Sequence, residues 1–208
     1  MDGLLLDTEG LYRKTWQGAA TALGYELDDE HYDSLIGLAE LDAEARLTAL
    51  FGDAFPLSHF RGLWRQAWDR FLAEDRLAAK PGAEELLAML ETRGIPSAVA
   101  TSTARETAVR CLRSAGLLER LPLLVAGDEV PRGKPAPDIF LAASLAVRCE
   151  PCRCLALEDS ANGLLSAVAA GTIAILVPEA PVAAETQALA AYVCPTLFEV
   201  RELLAPRG

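Results

Sequence analysis

Apolar and polar positions follow two different rhythms along this chain. From Glu9 to about Leu77 the rhythm is helical. Leu11, Tyr12, Trp16, Ala19, Ala20 and Leu23 recur at three- and four-residue spacing, and Gly24 is placed to end that helix. A second helix is expected from Asp28 to Ile36 behind an aspartate cap, and a third from Leu41 to Phe51, closed by Gly52. A fourth starts near Ser58 and carries Phe60, Leu63, Trp64, Ala67, Trp68, Phe71 and Leu72. All three tryptophans fall in this section. They read as the packing of a small helical bundle rather than as an aromatic ligand box. No alternating pattern interrupts the helices, so they are expected to form a separate subdomain.

Ala79-Lys80-Pro81-Gly82 marks a boundary, since proline and glycine together break a helix and allow a sharp change of direction. Beyond it, short apolar runs alternate with helices. The runs are Ile95 to Ala100, Leu121 to Ala126, Cys154 to Leu157 and Thr172 to Val177. Between them lie helices at Ala83 to Arg93, Thr103 to Ala115, Pro137 to Val147 and Ser160 to Ala170, with Gly94, Gly116 and Gly171 at three of their ends. Buried apolar strands separated by helices predict an α/β fold, a doubly wound parallel sheet covered on both faces.

Composition narrows the partners. With a net charge of −11, the chain is poorly suited to a nucleic-acid backbone or an anionic membrane surface, both of which select basic patches. No apolar run reaches the length of a membrane span and no basic stretch with an apolar signal core follows Met1, so a cytoplasmic location is expected. Five cysteines in a chain of 208 residues fit reduced thiols. Cys149-Glu-Pro-Cys152-Arg-Cys154 has a spacing that soft metals accept, but Cys154 opens an apolar strand and no second Cys/His pair stands at ligand spacing elsewhere.

In an open parallel sheet a ligand binds beyond the carboxyl ends of the strands. That rule selects Thr101-Ser102, Gly127-Asp128 and Glu158-Asp159, with Lys134 on a nearby loop. Thr101 and Ser102 offer hydroxyls and, at the start of a helix, backbone N–H groups for phosphate oxygens. Simple helix capping explains the same pair equally well. Lys134 stands in Gly133-Lys134-Pro135-Ala136-Pro137, where two prolines restrict the backbone and present a point charge suited to a transferring phosphoryl group. Glu158 and Asp159 place two carboxylates at one strand end, with Ser160 and Gly163 allowing close approach. Mg²⁺ is the natural partner for such a pair, while a favourable interaction with the helix dipole accounts for only one of them.

Taken together, four segments resemble the motifs of the haloacid dehalogenase (HAD) superfamily. They are MDGLLLDTE, VATSTARETA, GDEVPRGKPAPDIF and CLALEDSANGLLSAVAAG. The resemblance spans nearly the whole chain and is strongest to the β-phosphoglucomutase-like phosphatases, which carry a helical cap after the first motif. It implies a Rossmann-like HAD core of residues 1–8 and 80–208 with an α-helical cap subdomain at 9–79. His31 to Gly37 is similar to a cap element of that group. The implied activity is Mg²⁺-dependent hydrolysis of a small phosphorylated metabolite, a sugar or polyol phosphate, through an aspartyl-phosphate. Carried over by position, Asp2 is the general acid and base and lends its backbone carbonyl to the metal. Thr101, Ser102 and Lys134 hold the phosphate, Glu158 and Asp159 anchor Mg²⁺, and Thr8 falls at a hinge that closes the cap.

In the family's first motif the nucleophilic aspartate precedes Asp2 by two positions, which places it immediately before Met1. The strand that leads to it is central in the family's sheet, and its loss would expose backbone groups on two neighbours. The native product is therefore expected to be longer by about six to ten residues, given usual strand lengths. Without that carboxylate the chain would be an inactive or regulatory form. A sugar-phosphate mutase is the other alternative. Its cap needs cations for a second phosphate, and Leu38-Ala39-Glu40-Leu41-Asp42 supplies none before Arg46, which favours a phosphatase.

Overall fold

A computed structural model describes residues 1–35, 40–74 and 77–205. The chain divides into two compact units, Thr8–Arg76 and Met1–Asp7 with Leu77–Gly208.

The first of these is helical, with α1 (Glu9–Ala22), α2 (Asp29–Asp33), α3 (Glu40–Phe51) and α4 (Leu57–Glu74). Asp28 caps α2 by accepting from the His31 N–H at 2.8 Å, as its position before the helix predicts. Inside, α1 and α4 pack through aromatic rings. Trp16 meets Phe60 edge-on at 5.3 Å, and Tyr12 lies 4.2 Å from Trp68. Trp16, Trp64 and Trp68 are all buried, so the bundle reading of the tryptophans matches their surroundings. Residues 36–39 lie outside the described residues. With them lie the end of the His31–Gly37 element and the start of the Leu38–Asp42 stretch.

In the second unit follow α5 (Ala83–Thr92), β1 (Val99–Ala100), α6 (Arg105–Ser114), β2 (Leu124–Val125), α7 (Asp138–Ala146), β3 (Leu155–Glu158), α8 (Ala161–Ala169), β4 (Ile173–Leu176), α9 (Ala184–Gln187), β5 (Tyr192–Val193) and α10 (Leu197–Leu204). All strand pairs are parallel. The alternation of β4 shows why both faces are covered. Ala174 and Leu176 join a core with Ile139, Phe140 and Leu164 of α7 and α8, whereas Ile175 and Val177 join Leu86, Leu197 and Val200 of α5 and α10. This is the expected α/β fold, in which helices lie on both sides of parallel strands.

One expectation changes. The strands form two sheets, β1-β2 and β3-β4-β5, rather than one. Between them runs an apolar groove of about 340 Å³, lined among others by Met1, Leu5, Leu86, Ala100, Phe140 and Leu157. Backbone polarity explains its walls. Val99 and Thr101 donate to Leu123 and Val125 on the β2 side, so the intervening Ala100 turns its N–H and C=O toward the groove. On the opposite wall Cys154 and Glu158 accept from Ile173 and Val177, so Leu155 and Leu157 face the groove in the same way.

Candidate active site

Met1 to Leu6 form a tight loop at the carboxyl end of these strands. The N–H groups of Leu5 and Leu6 donate to the Met1 carbonyl, that of Gly3 donates to Leu6, and Lys80 N–H donates to Leu5. Gly3 sits at φ 68°, a left-handed conformation open to glycine, and a side chain there would overlap the carboxylates of Asp159 and Glu179. The loop thus needs glycine for its turn and for the approach of two acids.

Asp2, the expected acid and base, lies beside the Thr101-Ser102-Thr103 segment that follows β1. Its Oδ2 accepts from the Thr103 hydroxyl at 2.8 Å and from Thr101 at 3.4 Å. Its Oδ1 is buried and has no hydrogen-bond partner among the described residues. Thr101 is buried and Ser102 exposed, and Ser102 backbone packs against Gly127, where a Cβ would collide with it. Thr103 was not selected from the sequence. Its position in a hydroxyl-rich run at a strand end was the available signal, but it reads there as the first residue of a helix.

Lys134 and Glu158 meet in a buried ion pair, with side chains 10% and 5% exposed. The Lys134 ammonium also approaches the Ala100 carbonyl at 3.4 Å and lies 5.2 Å from the centre of the Phe140 ring. The peptide bond between Lys134 and Pro135 is cis. A Cβ on Gly163 would overlap the Glu158 carboxylate, which places the expected close approach of a small residue on Glu158. Glu158 and Asp159 have different neighbours. Consecutive residues at a strand end point to opposite sides, so Glu158 turns to Lys134 while Asp159 turns to Gly3.

Burial, with repulsion from Glu158 adding to it, pushes the Asp159 carboxyl up to about 6. A half-buried carboxylate over a glycine loop is a group that a cation would relieve. Asp159 with the backbone oxygens of the Asp2–Gly3 loop and solvent water is a hard oxygen set of the kind Mg²⁺ accepts. Among the described residues no three His, Cys, Asp or Glu side chains converge as metal ligands, so the fit rests on Asp159 and backbone.

Glu179, three residues beyond β4, pairs with Lys80 at 2.6 Å and was missed. The strand-end rule applied to β4 would have found it. Asp128 has a different task from a ligand. It accepts from the Arg105 N–H at 2.9 Å and caps α6, whose own cap position is Ala104, while Arg105 pairs with Glu129.

The model of the haloacid dehalogenase-like hydrolase family matches residues 1–171. The chain belongs to that family. Among its relatives is the phosphorylated carbohydrates phosphatase of Thermotoga maritima, 30% identical over 171 residues, which cover 82% of this chain and 79% of that protein. A bifunctional riboflavin kinase/FMN phosphatase of Arabidopsis thaliana is 28% identical over 203 residues. That match takes in 97% of this chain but spans only about half of the plant protein, 53% of its length. Among solved structures, CbbY of Rhodobacter sphaeroides in complex with phosphate superimposes with a TM-score of 0.81 at 29% identity, covering 96% of this chain and 93% of that one. The fold is accordingly that of the HAD-like hydrolases, and the chain is an enzyme of that family. Among the described residues no helix is long and apolar enough to cross a membrane.

Proposed function

We propose that this HAD-like hydrolase is a Mg²⁺-dependent phosphoric monoester hydrolase that acts on a small phosphorylated metabolite, a sugar or polyol phosphate. One observation carries the reading. Asp2, the Thr101 and Thr103 hydroxyls, the Lys134–Glu158 pair and Asp159 gather within a single unit at the carboxyl ends of its parallel strands. The named activity of the Thermotoga relative supports the substrate class.

In this mechanism a carboxylate attacks phosphorus, the bond from phosphorus to the ester oxygen breaks, and Asp2 gives its proton to that oxygen. Water then attacks the aspartyl-phosphate, returning a proton to Asp2 and releasing phosphate. Lys134, held in place by Glu158, supplies positive charge to the phosphoryl oxygens, and the N–H groups at the start of α6 are available to the same oxygens. Asp159 would hold Mg²⁺, which when bound offsets the charge of phosphate and attacking carboxylate. Thr8–Arg76 serves as the cap that excludes water and chooses the substrate.

The attacking carboxylate is assigned to an aspartate joined directly ahead of Met1. Magnesium-dependent release of phosphate from a panel of sugar and polyol phosphates tests the reading. The expected result is turnover by a chain carrying that aspartate on an apolar strand and none by the same chain with alanine in its place. Equal turnover by both would remove the assignment of the nucleophile, and turnover by neither would remove the phosphatase reading.

A further inference from the structure

The Asp2 carboxylate is held asymmetrically. Two hydroxyl donors, from Thr103 at 2.8 Å and Thr101 at 3.4 Å, meet at Oδ2, whereas Oδ1 is buried with no partner among the described residues. Thr103 is itself fixed at three points. Its N–H donates to the Thr101 hydroxyl at 3.2 Å, its carbonyl accepts from Gly127 N–H at 3.1 Å, and its hydroxyl reaches Asp2. Gly127 can come this close because it has no side chain to strike the Ser102 backbone. The arrangement is a braced donor aimed at one oxygen of one carboxylate.

We propose that Thr103 is a positioning residue that selects which oxygen of Asp2 carries the transferable proton. A neutral carboxyl group has one O–H and one acceptor oxygen. An oxygen that already accepts from two hydroxyls remains the acceptor, so the proton resides on Oδ1, the oxygen with no other engagement. Thr103 keeps its own proton throughout. Oδ1–H protonates the ester oxygen as the bond to phosphorus breaks, and Oδ1 takes the proton back when water attacks. The role is analogous to the way a partner at one histidine nitrogen fixes the tautomer presented by the other. It rests on the phosphatase reading and adds to it a residue given no role by the family resemblance.

The test exploits leaving groups of different basicity. An alkyl phosphate needs its leaving oxygen protonated, whereas p-nitrophenolate leaves with little help, so a fault in acid delivery separates the two. In the enzyme with aspartate joined ahead of Met1, Thr103→Val is expected to lower kcat/KM on glycerol phosphate by about 10- to 100-fold. On p-nitrophenyl phosphate the fall should be less than about threefold, and KM for both should stay within about the same factor. Thr103→Ser, which keeps the hydroxyl, should restore at least half of the activity on the alkyl ester and gives a reading should the valine variant fail to fold. Equal losses on both esters, unchanged activity of the valine variant, or a serine variant as slow as valine would overturn the assignment. A parent enzyme that hydrolyses neither ester would remove the phosphatase reading and this role with it, a result distinguishable from all of these.

Discussion

Each unit holds a buried glutamate in an ion pair, and the two pairs are built differently. In the helical unit Arg61 of α4 grips both oxygens of Glu44 with its guanidinium, and although the Glu44 side chain is only 4% exposed, that of Arg61 is 39% exposed. Two parallel N–H donors fix geometry, and the solvated end of arginine keeps the desolvation cost low. In the α/β unit Lys134 meets one oxygen of Glu158 and both partners are enclosed. An ammonium is a point charge with spare donors, able to serve a second anion without breaking the first contact. The arginine pair is suited to tying helices together. The lysine pair places a costly charge beside the strand ends, a cost expected where the charge is used.

The largest effect that would break this contrast is Lys134→Ala. It leaves Glu158 buried and unpaired, so the α/β unit should lose about 3–5 kcal/mol along with all phosphate release. Because every tryptophan lies in the helical unit, tryptophan emission reports that unit alone. Hydrogen exchange in β3 and β4 should therefore accelerate while emission stays native.

Arg61→Met is the counterpart. Because the guanidinium it removes is partly solvated, water can reach the Glu44 carboxylate left behind, which moderates the loss to roughly 2 kcal/mol, between the surface and buried limits. Here emission should shift at lower denaturant with strand exchange unaltered. Equal spectroscopic responses to the two variants would show that the units do not unfold separately.

Asp159→Asn has the opposite sign. The raised carboxyl means that the native state holds this proton more tightly than the unfolded chain does, so its contribution favours folding below the ordinary value of 3.8 and is lost as pH rises through about 6. At neutral pH without divalent cations the asparagine variant should be more stable by about 1–2 kcal/mol, allowing for partial exposure. Added Mg²⁺ should raise the melting temperature of the wild type and leave the variant unchanged. A variant that melts lower than the wild type in EDTA would contradict the burial argument.

Legibility differed between the units for physical reasons. Helix positions could be read because their signals are local. Gly24, Gly52, Gly94, Gly116 and Gly171 all adopt positive φ near helix ends. Strand boundaries were less legible, since of the run Ile95 to Ala100 only Val99 and Ala100 pair as strand, and pairing depends on partners far along the chain. β5 is short and exposed, so no apolar run announces it. At the site, residue types and strand ends led to Thr101, Ser102, Lys134, Glu158 and Asp159, and the family resemblance led to Asp2. The sequence does not tell which neighbour each faces, and so Thr103 and Glu179 were passed over and Glu158 was grouped with Asp159 instead of with Lys134.

The groove between β1 and β3 also bears on handling the protein. Facing strand edges with inward-turned peptide groups and greasy walls are templates for adding foreign strands. The protein should therefore drift toward oligomers as it is concentrated, and gel filtration over a concentration series reads that tendency directly.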